Sequence, residues 1–392
     1  MRRHLLFLLA LALVVSLATA RRASAYPQFQ FSSGTNKCSQ CHYSPAGTGL
    51  ISAWGRDESA DTISMGGNGA FLHGAWTPPS WLALGGDLRL AGIYNDVGGP
   101  EAPEWAFFPM QADIYARAAY EAFSVNVMVG DRGIVRQEDN SFTGKINTVP
   151  DRFISREHYL MWRPSASGPY ARIGRFFAPY GLRLVEHIFW VRRYTGYNLY
   201  EETYNLSGGY VADDWEVHAT AFAPVPSGAP TFFQAIGPRE SGAAVYAEKR
   251  LGGIAALAIQ GRLGFASEAD RYQLGAVGKL WVEQAKLLFM GEGDVIRQRL
   301  VGASNSQIQF VSFLNATWFP IRGLMFGASY ERYQEDLDVS TTARNAVDGE
   351  LNFFPWAHFE VVLLGRYQWS PDAAGISTPG AWLGMLQLHY YL

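Results

Sequence analysis

The stretch Leu82-Ala83-Leu84-Gly85-Gly86-Asp87-Leu88-Arg89-Leu90 alternates with a period of two. Leu82, Leu84, Leu88 and Leu90 share one face. Ala83, Gly85, Asp87 and Arg89 share the other, because successive side chains of an extended strand point to opposite sides. The alternation returns in Phe123, Val125, Val127 and Val129 against Ser124 and Asn126. It returns in Trp215, Val217, Ala219 and Ala221 against Glu216, His218 and Thr220, and in Tyr272, Leu274 and Ala276 against Arg271 and Gln273. Near the C-terminus Phe359, Val361 and Leu363 oppose Glu360 and Arg366. Strands are expected to begin near residues 81, 105, 122, 155, 169, 203, 214, 240, 253, 270, 284, 306, 323, 343, 357 and 380, sixteen in all.

The residues on the two faces decide between β architectures. A sandwich buries its aliphatic face and splits into ~100-residue units. A propeller repeats every ~40–45 residues, and no such repeat is present. Here the less apolar face carries Arg, Glu, Asp, Gln and Gly, which suits a water-filled or plugged lumen. Each strand with its connection takes about twenty residues, matching ~10-residue spanning strands joined by short turns at one end and longer loops at the other. Aromatics gather near strand ends: Trp105 with Phe107 and Phe108, Phe189 with Trp190, Trp318 with Phe319, Phe353 with Phe354 and Trp356, and Tyr390 with Tyr391. This is the girdle expected where strands cross a headgroup layer. The last strand places Trp382, Leu386, Leu388, Tyr390 and Leu392 on one face, like the closing strand of bacterial outer-membrane barrels, although it ends in Leu rather than Phe. The expected fold is all-β, a transmembrane antiparallel barrel of about 16 strands over residues 81–392.

Composition agrees. Of 392 residues 48% are hydrophobic, yet beyond the N-terminus no run approaches the ~20 apolar residues of a membrane helix. Thirty-five acidic residues against 32 basic ones leave no basic face for nucleic acid. Arg2 and Arg3 precede an apolar run from Leu5 to about Leu17, and Ala23-Ser24-Ala25 forms an A-x-A cleavage site. Residues 1–25 therefore read as a cleaved export signal, with the bacterial outer membrane as the expected destination.

Between signal and barrel, residues 26–80 carry both cysteines of the chain, in Cys38-Ser39-Gln40-Cys41-His42. C-x-x-C-H is the attachment sequence for a c-type haem. Two thiols add to two vinyl groups and the adjacent His reaches the iron from the same loop. A zinc knuckle would need two further close ligands, and a redox pair would open the helix of a βαβ unit; neither is present. The expected cofactor is one covalent haem c, held by Cys38 and Cys41 with His42 as proximal iron ligand. For the distal position His73, in Gly69-Ala70-Phe71-Leu72-His73-Gly74, is preferred and Met65 is the alternative. A Met ligand would raise the potential relative to bis-His coordination.

Taken together, Ala25-Tyr26-Pro27-Gln28-Phe29, the Cys38–His42 motif, Leu50 and Gly55-Arg56 resemble the haem segment of fused monohaem cytochrome–porins. That family includes the outer-membrane cytochromes of iron-oxidising bacteria. The motif resemblance covers residues 25–56; beyond it the likeness is one of architecture. A basic-aromatic stretch follows the Gly-Arg pair in that family, whereas Asp57 and Glu58 follow here. The resemblance implies that Cys38 and Cys41 hold the haem and His42 its iron. It also implies an extracellular electron donor or acceptor, ferrous iron being one, and a periplasmic redox protein as partner. Gly174 to Leu182 (GRFFAPYGL) resembles a strand-and-turn phrase of porins and reads as architecture rather than a site.

Two functions follow. In the first, the haem segment plugs the lumen and the protein transfers electrons across the outer membrane. In the second, the chain is a diffusion porin with a periplasmic haem appendage. Arg172, Arg183, Arg192 and Arg193 would then favour anions, unless they pair with local acids or meet lipid headgroups. Glu201-Glu202 and Asp213-Asp214 could bind a metal donor, but such pairs are more often solvated loop residues. No catalytic triad, metalloprotease motif or phosphate loop competes, and a haem sensor or peroxidase lacks a distal acid–base pair.

Overall fold

The computed structural model describes residues 27–33, 35–98, 102–131, 153–198, 201–227, 229, 231–233, 239–303, 305–371 and 380–392. The export signal expected over 1–25 lies outside the described residues.

Fifteen-residue β1 (Leu82–Asp96) is followed by β2 (Glu104–Tyr120), β3 (Phe123–Asp131), β4 (Phe153–Trp162) and β5 (Gly168–Phe176). Next come β6 (Thr203–Val211), β7 (Trp215–Ala223), β8 (Ser241–Leu251), β9 (Ala255–Phe265), β10 (Ala269–Val282) and β11 (Leu287–Leu300). The wall is completed by β12 (Gln307–Ile321), β13 (Leu324–Gln334), β14 (Ala343–Trp356), β15 (Phe359–Trp369) and β16 (Ala381–Tyr391). These are the sixteen expected segments, each starting within three residues of its expected position. All pair antiparallel with their sequence neighbours, and β1 closes on β16 from Asp87↔Tyr391 to Asp96↔Trp382. Closure leaves no unpaired strand edge.

Burial along the strands is inverted relative to a soluble protein. In β7, Glu216 (1% exposed) and His218 (0%) face inward, while Trp215 (37%) and Val217 (43%) face outward. Likewise Glu360 and Arg366 of β15 are buried and Leu363 is exposed. The outer surface is thus a continuous apolar band, as lipid requires, and the polar residues solvate one another inside. Trp105 (79% exposed), Phe107, Trp318 and Trp356 project outward as a girdle would. Phe189, Trp190, Phe354 and Tyr391 do not: they are buried within the barrel. Adjacency of aromatics looks the same whether they meet lipid or a packed lumen, so these four belong to the lumen and not to the girdle.

Connections differ at the two ends. Tyr120–Phe123, Val211–Trp215, Leu251–Ala255 and Ile321–Leu324 are tight turns at one end, and the chain enters β1 at that end. The longer connections lie at the other end.

Two inserts fill the lumen. From the short-turn end, residues 27–75 contribute two short helices, α1 (Cys38–Cys41) and α2 (Ala53–Glu58), the latter capped by the Ser52 hydroxyl accepting from the Gly55 amide at 3.1 Å. Short helices depend on such caps and on tertiary packing. Phe29 packs on Phe319 and Phe354, and Gln30 bonds to Glu248 and Lys279 of β8 and β10 at 3.1 and 2.6 Å. Leu50 packs with Ala83, Tyr115 and Met128 of the wall. From the long-loop end, residues 177–198 fold inward with helix α3 (Trp190–Arg193). This insert is held where the Leu182 amide donates to Glu292 at 2.7 Å and the Trp190 amide to Glu331.

Candidate functional site

One helical turn, α1, brings Cys38 and Cys41 to the same side, three residues apart. The His42 amide closes that turn on the Cys38 carbonyl at 3.1 Å, and an isolated antiparallel bridge joins His42 to Ile51. The loop between them passes close over the helix. At Gly47, with φ +78°, a Cβ would lie 3.0 Å from that of Cys38, so a side chain there would strain the backbone and press on the thiol. His42 Nδ1 faces the Gly49 carbonyl at 3.2 Å. An Nδ1–H donating there puts the imidazole lone pair on Nε2, the tautomer that ligates a metal.

Arg183, from the opposite insert, meets this segment. Its guanidinium donates to the Ala46 carbonyl at 2.6 Å and lies 3.7 Å from Cys38 Sγ. It also pairs with Glu216 at 3.1 Å and stacks over Tyr246. Its backbone adopts φ +60°, uncommon for a residue with a side chain. Burial pushes the Cys38 thiol up, and Arg183 opposes that shift.

Between the inserts lies a cavity of about 260 Å³. Cys38, His42 and Leu50 line it from the first insert, Leu182, Leu184 and His187 from the second, and Arg89 and Arg156 from the wall. Apolar surface with cations nearby suits a flat ring bearing two carboxylates. The donor set fits: Cys38 borders the cavity, Cys41 shares its helical turn, and the His42 tautomer presents Nε2. Burial, with Arg192, Arg89 and Arg156 nearby, pulls the His187 imidazole down to about 4, so the ring is neutral at pH 7.

The distal candidates from sequence lie elsewhere. His73 sits at the rim with Nε2 3.3 Å from the Tyr390 hydroxyl and its ring 5.0 Å from that of His358. Met65 is exposed, its amide bonded to the Phe354 carbonyl. Neither lines the cavity. His187 was not singled out from sequence. The available signal was the long spacing between the strands expected at 169 and 203, without alternation and rich in aromatics.

The remaining residues are now placed. Arg172 bonds the Ser44 hydroxyl at 3.2 Å and covers the Phe176 ring, and Arg192 is tied to the carbonyls of Leu184 and Tyr197 at 2.9 Å. Arg193 lies beside the Tyr194 ring. Glu202, read as a solvated loop residue, is instead buried between Arg156 and Arg175. Asp213 and Asp214 are exposed as expected, pairing with Lys37 and Lys249. The Lys37–Asp213 contact ties the residue before Cys38 to the β6–β7 turn. Among the described residues no group of three or more His, Cys, Asp or Glu is arranged to hold a bare metal ion.

No family model and no curated protein matches the sequence. Solved structures match the fold. OprB of Pseudomonas putida is 11% identical with a TM-score of 0.60, over 80% of this chain and 94% of its own. Outer-membrane expressed OmpT of Vibrio cholerae is 11% identical with a TM-score of 0.58, over 81% and 99%. An anion-selective porin from Comamonas acidovorans is 8% identical with a TM-score of 0.56, over 79% and 99%. At these identities the likeness establishes the fold, a sixteen-stranded barrel of the porin kind.

Proposed function

We propose that this chain is an exported outer-membrane barrel that transfers electrons through one covalent haem c held inside its lumen. The observation that carries this reading is the C-x-x-C-H turn, inside the barrel and facing a cavity between two inserts. The apolar outer band and the porin fold of the solved neighbours support a position in outer-membrane lipid. When bound, the haem supplies a one-electron ferric–ferrous couple. Cys38 and Cys41 would hold it by thioethers, and His42 would offer Nε2 to the iron. Arg89, Arg156 and Arg183 would counter its carboxylates. The inserts would keep water and ions from passing freely while narrowing the distance to partners at either end. By the usual orientation of such barrels, the short-turn end carrying the haem segment faces the periplasm. There a soluble redox protein would exchange electrons, with a donor or acceptor such as ferrous iron outside.

The test is stopped-flow reduction of the purified haem protein by ferrous iron, followed by reoxidation with a soluble cytochrome. Both phases are expected on a timescale of seconds or faster. Absence of covalent haem from the purified protein removes the electron-transfer reading; reoxidation without reduction by iron removes only iron as donor.

A diffusion porin is the second reading, favoured by the neighbours described as porins and channels. Planar-bilayer conductance separates the two. The conduit predicts small or absent steady current with the insert intact, and a large steady current supports the porin.

A further inference from the structure

We propose that His187 is the second axial ligand of the haem, an assignment that rests on the haem reading above. His187 and His42 line one cavity from different inserts: His42 from the segment entering at the short-turn end, His187 from the segment descending from the long-loop end. A ring attached through Cys38 and Cys41 would occupy the cavity that both line. Each other histidine among the described residues is otherwise engaged. His389 also lines the cavity but is clamped between Glu360 at 2.9 Å and Asp87 at 2.7 Å. His158 bonds Ser155 and Tyr204, and His218 bonds Tyr170 and Glu216. His358 faces the Ala70 carbonyl, and His73 lies at the rim beside Tyr390. Among the described residues no hydrogen bond holds the His187 ring.

The chain around His187 is well anchored. Arg192 binds the carbonyls of Leu184 and Val185 just before it, and Phe189 and Trp190 are buried just after it. Its backbone would therefore move little while the ring turns toward the iron. Of the cavity methionines, Met128 is packed among Leu50, Ala83 and Tyr115, and Met110 belongs to the β2 wall rather than to the facing insert.

Electron paramagnetic resonance and near-infrared spectra of the oxidised full-length protein test this. The native protein is expected to be low-spin without a Met–iron charge-transfer band. His187→Ala is expected to turn high-spin, to retain covalent haem by gel staining, and to recover a low-spin spectrum with added imidazole. His187→Met is expected to gain the near-infrared band, which guards against misfolding of the alanine variant. His73→Ala is expected to leave the spectra unchanged. A low-spin His187→Ala spectrum identical to the native one, or a Met band in the native protein, overturns the assignment. If the native protein stains for no covalent haem, the electron-transfer reading itself fails and the assignment falls with it.

Discussion

The barrel wall and the inserts inside it are built on opposite logic. In the wall one rule, alternation of apolar and polar side chains, repeats over sixteen strands, and backbone pairing supplies the cohesion. The inserts have almost no regular structure and are fixed by separate contacts: Gln30 to Glu248, Arg183 to Ala46, and the Leu182 amide to Glu292. An insert held by a few buried polar contacts depends on each of them. The wall provides the enclosure, and the proposed chemistry would reside in the inserts.

The largest expected effect separates the two regions cleanly. Replacing Cys38 and Cys41 by Ala should abolish covalent haem entirely while the barrel keeps its heat-modifiable mobility on gels. Loss of that mobility would mean that the wall cannot form without the insert. Next in size, Leu274→Arg on the outer face of β10 should destabilise the barrel by about 2–4 kcal/mol in lipid if it lies near the bilayer midplane. Thr220→Ala, which removes the inward hydrogen bond to Ser207, should cost about 1 kcal/mol. Chemical unfolding in bilayers compares them, and equal costs would contradict the assignment of faces.

Arg183→Gln acts where the inserts meet the wall. It removes a charge-assisted bond to Ala46 and one cation beside the buried Glu216, at a cost of about 1–3 kcal/mol. Amide hydrogen exchange in residues 43–50 should accelerate several-fold, with the strands away from β7 and β8 unaffected. The smallest effect concerns pH. Glu201 follows the second insert and accepts from the Asn198 amide at 3.0 Å. Burial pushes its carboxyl up to about 7 from an ordinary 4.5. The folded state therefore binds the proton more tightly than the unfolded state. Its stabilisation is complete below pH 4.5 and is lost as pH rises toward 7. Limited proteolysis of residues 177–198 should accelerate across that window beyond the protease's own pH dependence. Glu201→Gln should remove the excess.

Strand positions were legible because lipid outside and polar groups inside impose a two-residue period along each strand, as in Trp215–Ala223. The Cys38-x-x-Cys41-His42 motif was legible because the proposed haem attachment would require fixed local spacing. No comparable rule marked Phe189 and Trp190 as lumen residues rather than girdle, or Glu202 as buried between two arginines. Their environments come from elements distant in sequence.

The chain's sequence by itself determined the barrel, its sixteen strands and a local C-x-x-C-H turn, since each depends on neighbours within a few residues. Only the tertiary structure decided where that turn sits, which residues face it across the cavity, and that His73 and Met65 lie outside it. Those relations join residues more than a hundred positions apart, as Arg183 meets Cys38, and no local pattern records such a meeting.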